Sequence, residues 1–201
     1  MRLIKKIFTG SKQKGVKTPG PALTWHQVHG ANIELSEDMS VARRQSSYCQ
    51  SIVFSGRPLA IGEKVWLRLL TVSEQVWRGG LRFGVSGVDP AHWSASSKLP
   101  KYLCPDMTSS YRVWARAMSD KYVQQGAVVF FSVKSTGDLV WGVDGREKGV
   151  LVSGVDISKP LWAVVDVYGS TAVSRSWTPE HPSTISWLTL ISRRKRPVSR
   201  R

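Results

Sequence analysis

The chain has 201 residues, of which 41% are hydrophobic, and it carries 29 basic and 14 acidic residues for a formal net charge of +15. This length suffices for one well-buried core and gives no reason to expect a second. The longest uncharged apolar run near an end, residues 185–191, is far shorter than the roughly 20 residues of a membrane-spanning helix, so we expect no membrane span.

The chain opens with a basic leader at residues 1–22. Residues 9–22 are rich in Gly, Pro, Lys and Thr without an apolar period, which predicts a flexible segment. The first eight residues mix cations with apolar side chains, and we predict that the leader binds an anionic membrane surface; the alternative is a solvated tail. The cations assigned to lipid or phosphoinositide contact are Arg2, Lys5, Lys6, Lys12, Lys14 and Lys17.

A body of short strands follows, which we place at residues 23–178. Runs of β-branched and aromatic residues recur about every ten residues and are separated by Gly, Pro, Asp and Ser, without a helical pattern between them. This rhythm predicts an all-β sandwich or barrel instead of βαβ units. The predicted strands are residues 31–35, 51–55, 64–71, 81–86, 111–116, 128–134, 139–143, 147–152, 161–167 and 172–176.

Two of these segments give more detail. In the strand at 64–71, Val65, Leu67 and Leu69 fall on one face, so that face is expected to be buried. We expect the opposite face of this strand, and of the strand at 81–86, to be mixed. Residues 128–152 predict a three-stranded meander, and its Asp144-Gly145 pair suits the positive φ angles of a type I′ hairpin turn.

The candidate binding residues lie in predicted loops. Each of the nine tryptophans is interpreted either as a core residue or as part of a peptide groove, since Trp, Tyr and Arg dominate binding hot spots. Trp77 lies beside an arginine and two glycines in a turn-like stretch. As alternatives to a binding role, Arg57-Pro58 is a rigid turn and Tyr102 is a corner tyrosine. The predicted peptide-binding residues are Arg57, Pro58, Trp77, Arg78 and Tyr102.

Sequence patterns that carry catalysis or hold a metal are absent. The chain has no Cys-x-x-Cys pair, no phosphate loop and no Gly-x-Ser-x-Gly elbow. His26 and His29 lie three residues apart without a Cys, Asp or Glu at zinc spacing. We therefore expect no cofactor, no metal and a binding protein. The start MRLIKKIFTG lacks the apolar run of a signal peptide, so Cys49 and Cys104 are expected as reduced thiols in a cytoplasmic or nuclear protein.

The chain ends in a basic tail at residues 179–201, which includes Arg193-Arg194-Lys195-Arg196, a run typical of a nuclear localisation signal. Residues 1–17 and 193–201 together hold twelve of the 29 basic residues and no acid, so the 17 remaining bases and the 14 acids leave the body near +3. The positive field therefore belongs to the ends. This distribution argues against a body that reads nucleic acid and leaves contact through the tail as the alternative.

Six segments in series resemble the neuralized homology repeat, the domain that names the neuralized-like E3 ubiquitin ligases. They cover residues 25–177 in the family's order. In this sequence they read HGANIEL (29–35), ARR (42–44), IVFSGRPL (52–59), WRGGLRFGV with DP (77–85 and 89–90), LPKYLCPDM (99–107) and PLWAVVDVYGST (160–171).

The resemblance implies an antiparallel two-sheet β-sandwich of the SPRY type that grips a short segment of a substrate protein for ubiquitination. Ligases of this family carry a RING finger or a SOCS box as well. Two cysteines cannot supply the eight zinc ligands of a RING, so the implied partners are a substrate segment and a separate ubiquitin-ligase component. The alternative function is a basic protein that associates with nucleic acid or anionic membranes through its tails; an enzyme of scattered residues ranks third.

Overall fold

Twelve strands form two antiparallel sheets in a computed structural model that describes residues 23–72, 80–93, 99–168 and 171–177. The five-stranded sheet has, in order, β1 (Trp25–His29), β4 (Ile52–Ser55), β11 (Trp162–Asp166), β6 (Arg82–Ser86) and β7 (Val113–Ala117). The seven-stranded sheet has β10 (Arg146–Val152), β9 (Leu139–Val143), β8 (Val128–Val133), β5 (Val65–Val72), β12 (Thr171–Trp177), β3 (Val41–Arg44) and β2 (Ile33–Leu35). Short helical turns lie at Pro90–Trp93, Leu103–Met107, Thr108–Ser110 and Asp120–Tyr122.

The predicted all-β sandwich is confirmed, and each of the ten predicted strands overlaps an observed strand whose ends differ from the prediction by at most two residues. Two observed strands were missed, β1 and β3. The sequence of β1, WHQVH, buries only Trp25 fully, and β3 (VARR) buries only Ala42, so neither strand shows a clear two-residue alternation. Among the described residues, none of the helices is long or apolar enough to cross a bilayer.

The main core lies between the two sheets. Val65, Leu67 and Leu69 point into it with at most 1% of their surface exposed, as their alternation predicts. Phe83 of the five-stranded sheet stacks on Phe131 of the seven-stranded sheet, with 5.1 Å between ring centroids. Contacts of this kind hold the sheets face to face and bury the apolar side of each.

A second, smaller core covers the outer face of the five-stranded sheet. Phe54 of β4 stacks on Trp93 from the Pro90–Trp93 turn, with 5.2 Å between ring centroids. Leu103 and Met107 close the same layer and are fully buried. The expectation of a mixed outer face on β6 is therefore wrong, because this layer also buries Gly84 and Ser86. The central strands of this sheet are covered on both faces.

The predicted meander of β8, β9 and β10 is confirmed, and so is its turn. Val143 pairs with Arg146, which leaves Asp144 and Gly145 as a two-residue loop with φ angles of 49° and 78°. Both angles have the sign that a type I′ turn requires.

Replacing Gly145 with alanine should lower the free energy of unfolding by about 1 kcal/mol, because alanine resists positive φ. An added Cβ would meet no atom within 4 Å, so the cost arises in the backbone alone. Gly145→Asn should lose less, since asparagine tolerates this conformation. Chemical denaturation measures the free energy of unfolding of both variants. Equal losses would contradict the positive-φ conformation assigned to Gly145.

Candidate functional site

Six side chains that are far apart in sequence meet at one end of the sandwich, where β11 ends and where β4 and β6 begin. We call this set the tyrosine–arginine cluster and this side of the molecule the cluster end. Five of the six side chains are half-buried, and the sixth, an aspartate, is fully buried. The cluster consists of Arg44, Tyr48, Arg82, Tyr102, Asp166 and Tyr168.

Arg82 lies at the centre of the cluster. It is the first residue of β6 and pairs in the ladder with Asp166, the last residue of β11, so the two side chains share the outer face of the sheet. Its guanidinium carbon lies 3.6 Å from the ring centroid of Tyr168 and 5.6 Å from that of Tyr102. Its Nη1 donates to the carbonyl oxygen of Cys104 at 3.0 Å. The guanidinium is thus held by a cation–π stack and by hydrogen bonds.

Asp166 holds the Arg82 side chain and the backbone of Leu103 in place. Its side chain has no exposed surface; Oδ2 accepts from the Leu103 N–H at 3.2 Å and lies 3.5 Å from Nη1 of Arg82. Oδ1 is buried and accepts no hydrogen bond from the described part of the chain. Burial raises the pKa of Asp166 to about 6, although the Leu103 N–H and Arg82 both favour the charged form. The carboxylate is therefore ionised at neutral pH and pairs with Arg82.

Arg44, at the end of β3, extends the cluster. Its guanidinium carbon lies 4.9 Å from the ring centroid of Tyr48, and its Nη1 donates to the carbonyl oxygen of Val167 at 3.1 Å. Tyr48 and Tyr168 are 6.3 Å apart between centroids, and Tyr168 meets Tyr102 edge-on at 6.0 Å. Three tyrosine rings and two guanidinium groups therefore pack together at the cluster end.

Backbone hydrogen bonds tie the loops of the cluster together. The Gln50 N–H donates to the carbonyl oxygen of Lys101 at 2.7 Å, which joins the loop of Tyr48 to that of Tyr102. The Val167 N–H donates to the carbonyl oxygen of Ser51 at 2.9 Å. A Cβ at position 30 would lie 2.1 Å from the Gln50 oxygen, so only glycine allows the close approach there. The surface is formed by mutually fixed loops.

The five predicted binding residues do not lie together at one place in the structure. Tyr102 belongs to the cluster. Arg57 and Pro58 follow the other end of β4, roughly 16 Å along the chain from Ile52. There Arg57 forms an ion pair with Glu63 at 2.6 Å, so the structure does not bring Arg57-Pro58 and Tyr102 into one pocket.

Trp77 and Arg78 lie outside the described residues, in the part of the sequence between β5 and β6. Their role in binding stays a prediction. The lipid-contacting cations of residues 1–17 and the run at 193–196 also lie outside the described residues, so the lipid and nucleic-acid predictions stand untested.

Cys104 lies beside the cluster and does not have the character of a nucleophile. Burial raises the pKa of its thiol, which therefore stays protonated at neutral pH. Cys49 and Cys104 are both free thiols. Within the described ranges, no group of three or more His, Cys, Asp or Glu side chains is placed to hold a metal ion. What the cluster offers is oriented N–H donors and aromatic faces, which suit binding.

Five residues of the cluster were not predicted from sequence: Arg44, Tyr48, Arg82, Asp166 and Tyr168. All but Tyr48 lie in segments that carried the family resemblance, but no local pattern places residue 82 next to residue 166. The strand pairing does so, and pairing was not predicted.

Comparison with known proteins gives a consistent result. The sequence model of the family described as Neuralized matches residues 25–175. The protein named "Protein neuralized" of Drosophila virilis is 39% identical over 174 residues, which are 85% of this chain and 23% of that protein. The mouse protein named "E3 ubiquitin-protein ligase NEURL3" is 42% identical over 167 residues, 80% of this chain and 63% of that protein. The chain thus spans less than two thirds of the length of both curated relatives.

Solved structures agree. The crystal structure of the Drosophila melanogaster neuralized-nhr1 domain matches with a TM-score of 0.76 and 37% identity over 80% of this chain and 100% of that chain. The SPRY domain of human HERC1 matches with a TM-score of 0.50 and 14% identity over 76% of this chain and 96% of that chain, a likeness of fold alone. The sandwich is SPRY-like, as the resemblance implied.

Proposed function

Because this chain belongs to the Neuralized family, we propose that its folded body is a protein-binding module that grips a short segment of a substrate protein for ubiquitination. The tyrosine–arginine cluster supports this function. Tyr and Arg are the residue types that most often dominate the binding energy of protein interfaces. The relatives whose names contain the word ligase are longer than the matched region, so we propose that an element outside these 201 residues, in a longer product or in a partner, supplies the transfer of ubiquitin.

The cluster has the physical properties that a peptide site needs. Its three tyrosine rings are half-buried, so each retains apolar surface that a bound segment can cover. Its loops are joined by backbone hydrogen bonds, and a surface that is ordered before binding loses little conformational entropy when it binds. Its arginines supply donors for backbone carbonyls or polar side chains of a segment.

Tyr168→Ala should weaken binding of a substrate segment about 30-fold, which corresponds to about 2 kcal/mol. The full chain is used to capture proteins from a cell extract, and peptides tiled over each captured protein are then titrated against purified chain by fluorescence anisotropy. The reason for the loss is that Tyr168 contacts Arg82, Tyr48 and Tyr102 at once and forms the middle of the surface.

The matched control is Tyr111→Ala. Tyr111 is 39% exposed, and it precedes Val113, which pairs with Ser86 at the other end of β6. This variant should keep the affinity of the wild-type chain. If no tiled peptide binds, or if both tyrosine variants bind as tightly as the wild-type chain, the cluster does not grip substrates.

A further inference from the structure

Arg82 uses only part of its hydrogen-bonding capacity inside the fold. Among the described residues, this side chain donates to the Cys104 carbonyl oxygen and to Oδ2 of Asp166, and Nη1 is the donor to both. Nε and Nη2 donate to no atom of that part of the chain, and neither is a buried unpartnered atom, so both reach solvent. The side chain is 17% exposed. Two nitrogens of one guanidinium therefore remain available to a ligand.

The guanidinium is also held in one orientation. Tyr168 covers one of its faces at 3.6 Å, and Asp166 and the Cys104 carbonyl fix its Nη1 corner. Nε and Nη2 of arginine carry parallel N–H bonds, and this fork matches two oxygens of one carboxylate or phosphate. A fork that is fixed before binding gains geometric specificity, because little freedom is lost when the ligand arrives.

The charges around Arg82 favour an anionic ligand. Asp166 is buried and its charge is matched by Arg82 itself. Arg44 is half-buried within the cluster, and Lys101 on the loop of Tyr102 is exposed. The nearby acid Asp106 accepts the Tyr102 N–H at 3.2 Å. The described charges of this surface therefore sum to an excess of positive charge, although the body of the chain is nearly neutral.

We propose that Arg82 is a specificity-determining residue which reads a side chain with paired anionic oxygens, so that the module selects acidic or phosphorylated segments. This inference rests on the proposed function, since it names the class of segment that the cluster would grip.

A randomised peptide array tests the inference. Purified full chain is applied to arrays in which each position carries in turn Asp or Glu, phosphoserine, Asn or Gln, or Lys. We expect one position at which an anionic residue improves binding at least tenfold over its amide, the effect of a charge-assisted pair of hydrogen bonds. A preference for Asp or Glu identifies a carboxylate, and a preference for phosphoserine identifies a phosphate. Both preferences are measured with the wild-type chain, so neither result depends on whether a variant folds.

Two arginine variants and one control assign the preference to Arg82. Arg82→Gln should abolish it, and Arg82→Lys, which keeps the charge without the fork, should retain only part of it. Arg146→Gln removes an equal charge from the exposed start of β10 and should leave the preference unchanged. The thermal midpoint of each variant shows whether it is folded.

The outcomes separate the two proposals. Peptides that bind without an anionic position, or that prefer Asn or Gln over Asp or Glu, would overturn the role of Arg82 and leave the binding module intact. A preference that survives Arg82→Gln in a folded chain would do the same. An array on which no peptide binds would count against the proposed function itself.

Discussion

Phe83→Ala should lower the free energy of unfolding by about 3–5 kcal/mol, the usual cost of truncating a buried phenylalanine. Phe83 is fully buried, stacks on Phe131 at 5.1 Å and contacts Trp141 at 6.0 Å between centroids. These two partners belong to the seven-stranded sheet and Phe83 to the five-stranded one, so the truncation leaves a cavity between the sheets. Urea denaturation followed by tryptophan fluorescence gives the free energy.

Phe83→Leu is the matched control, since it keeps most of the apolar volume and should cost much less than the alanine variant. A loss of under about 1 kcal/mol for Phe83→Ala would contradict the assignment of this ring to the main core.

The free energy of unfolding should fall by about 3 kcal/mol between about pH 3 and pH 7 through Asp166 alone. Burial raises the pKa of this carboxyl from 3.8 to about 6 in the folded chain, so the folded chain holds its proton more tightly than the unfolded chain does. Stability from this group is therefore complete at about pH 3 and below, where both states are protonated. It is lost as pH rises through the folded pKa, because ionising the buried carboxyl costs free energy.

Asp166→Asn isolates this effect, because asparagine does not titrate. Other acids act in the opposite direction at lower pH; the Thr136 hydroxyl, for example, donates to Asp138 and lowers its pKa. These contributions cancel when the unfolding free energies of wild-type and Asp166→Asn chains are subtracted at each pH. The difference should change by about 3 kcal/mol between about pH 3 and pH 7. A difference that does not vary with pH would show that Asp166 is not buried as a titrating group.

Most of the fold could be predicted from sequence because the strands and turns of a sandwich are recognisable in short stretches of the chain. The alternation of Val65, Leu67 and Leu69 and the Asp144-Gly145 turn each lie within a few residues, and the structure confirms both. The alternation of apolar residues does not identify a strand that buries few side chains, such as β3. It also does not reveal a strand face that a second layer covers. In β6 the buried Gly84 and Ser86 carry no apolar signal, so the covered outer face was not predicted.

The candidate site was harder to predict, for a physical reason. Arg82 and Asp166 meet through ladder pairing between strands 84 residues apart in sequence, and sequence patterning fixes faces but not partners. Tyr102 was predicted as a binding residue because it lies in a Pro-rich loop. Arg57 was predicted on similar grounds, yet β4 separates it from Tyr102, and Glu63 pairs with it. Loop composition identifies exposed side chains without showing which of them face each other.

The small outer core has a bearing on how sequence variants of this protein are interpreted. Leu103 belongs to that layer, and its N–H holds Asp166, while the preceding residue is Tyr102. A substitution at Trp93 or Met107, neither of which belongs to the cluster, would therefore disturb the surface through the segment they support. In a screen for loss of the proposed segment binding, such changes would score together with changes in the cluster, and a map of their positions would outline the scaffold behind the surface as well as the surface itself.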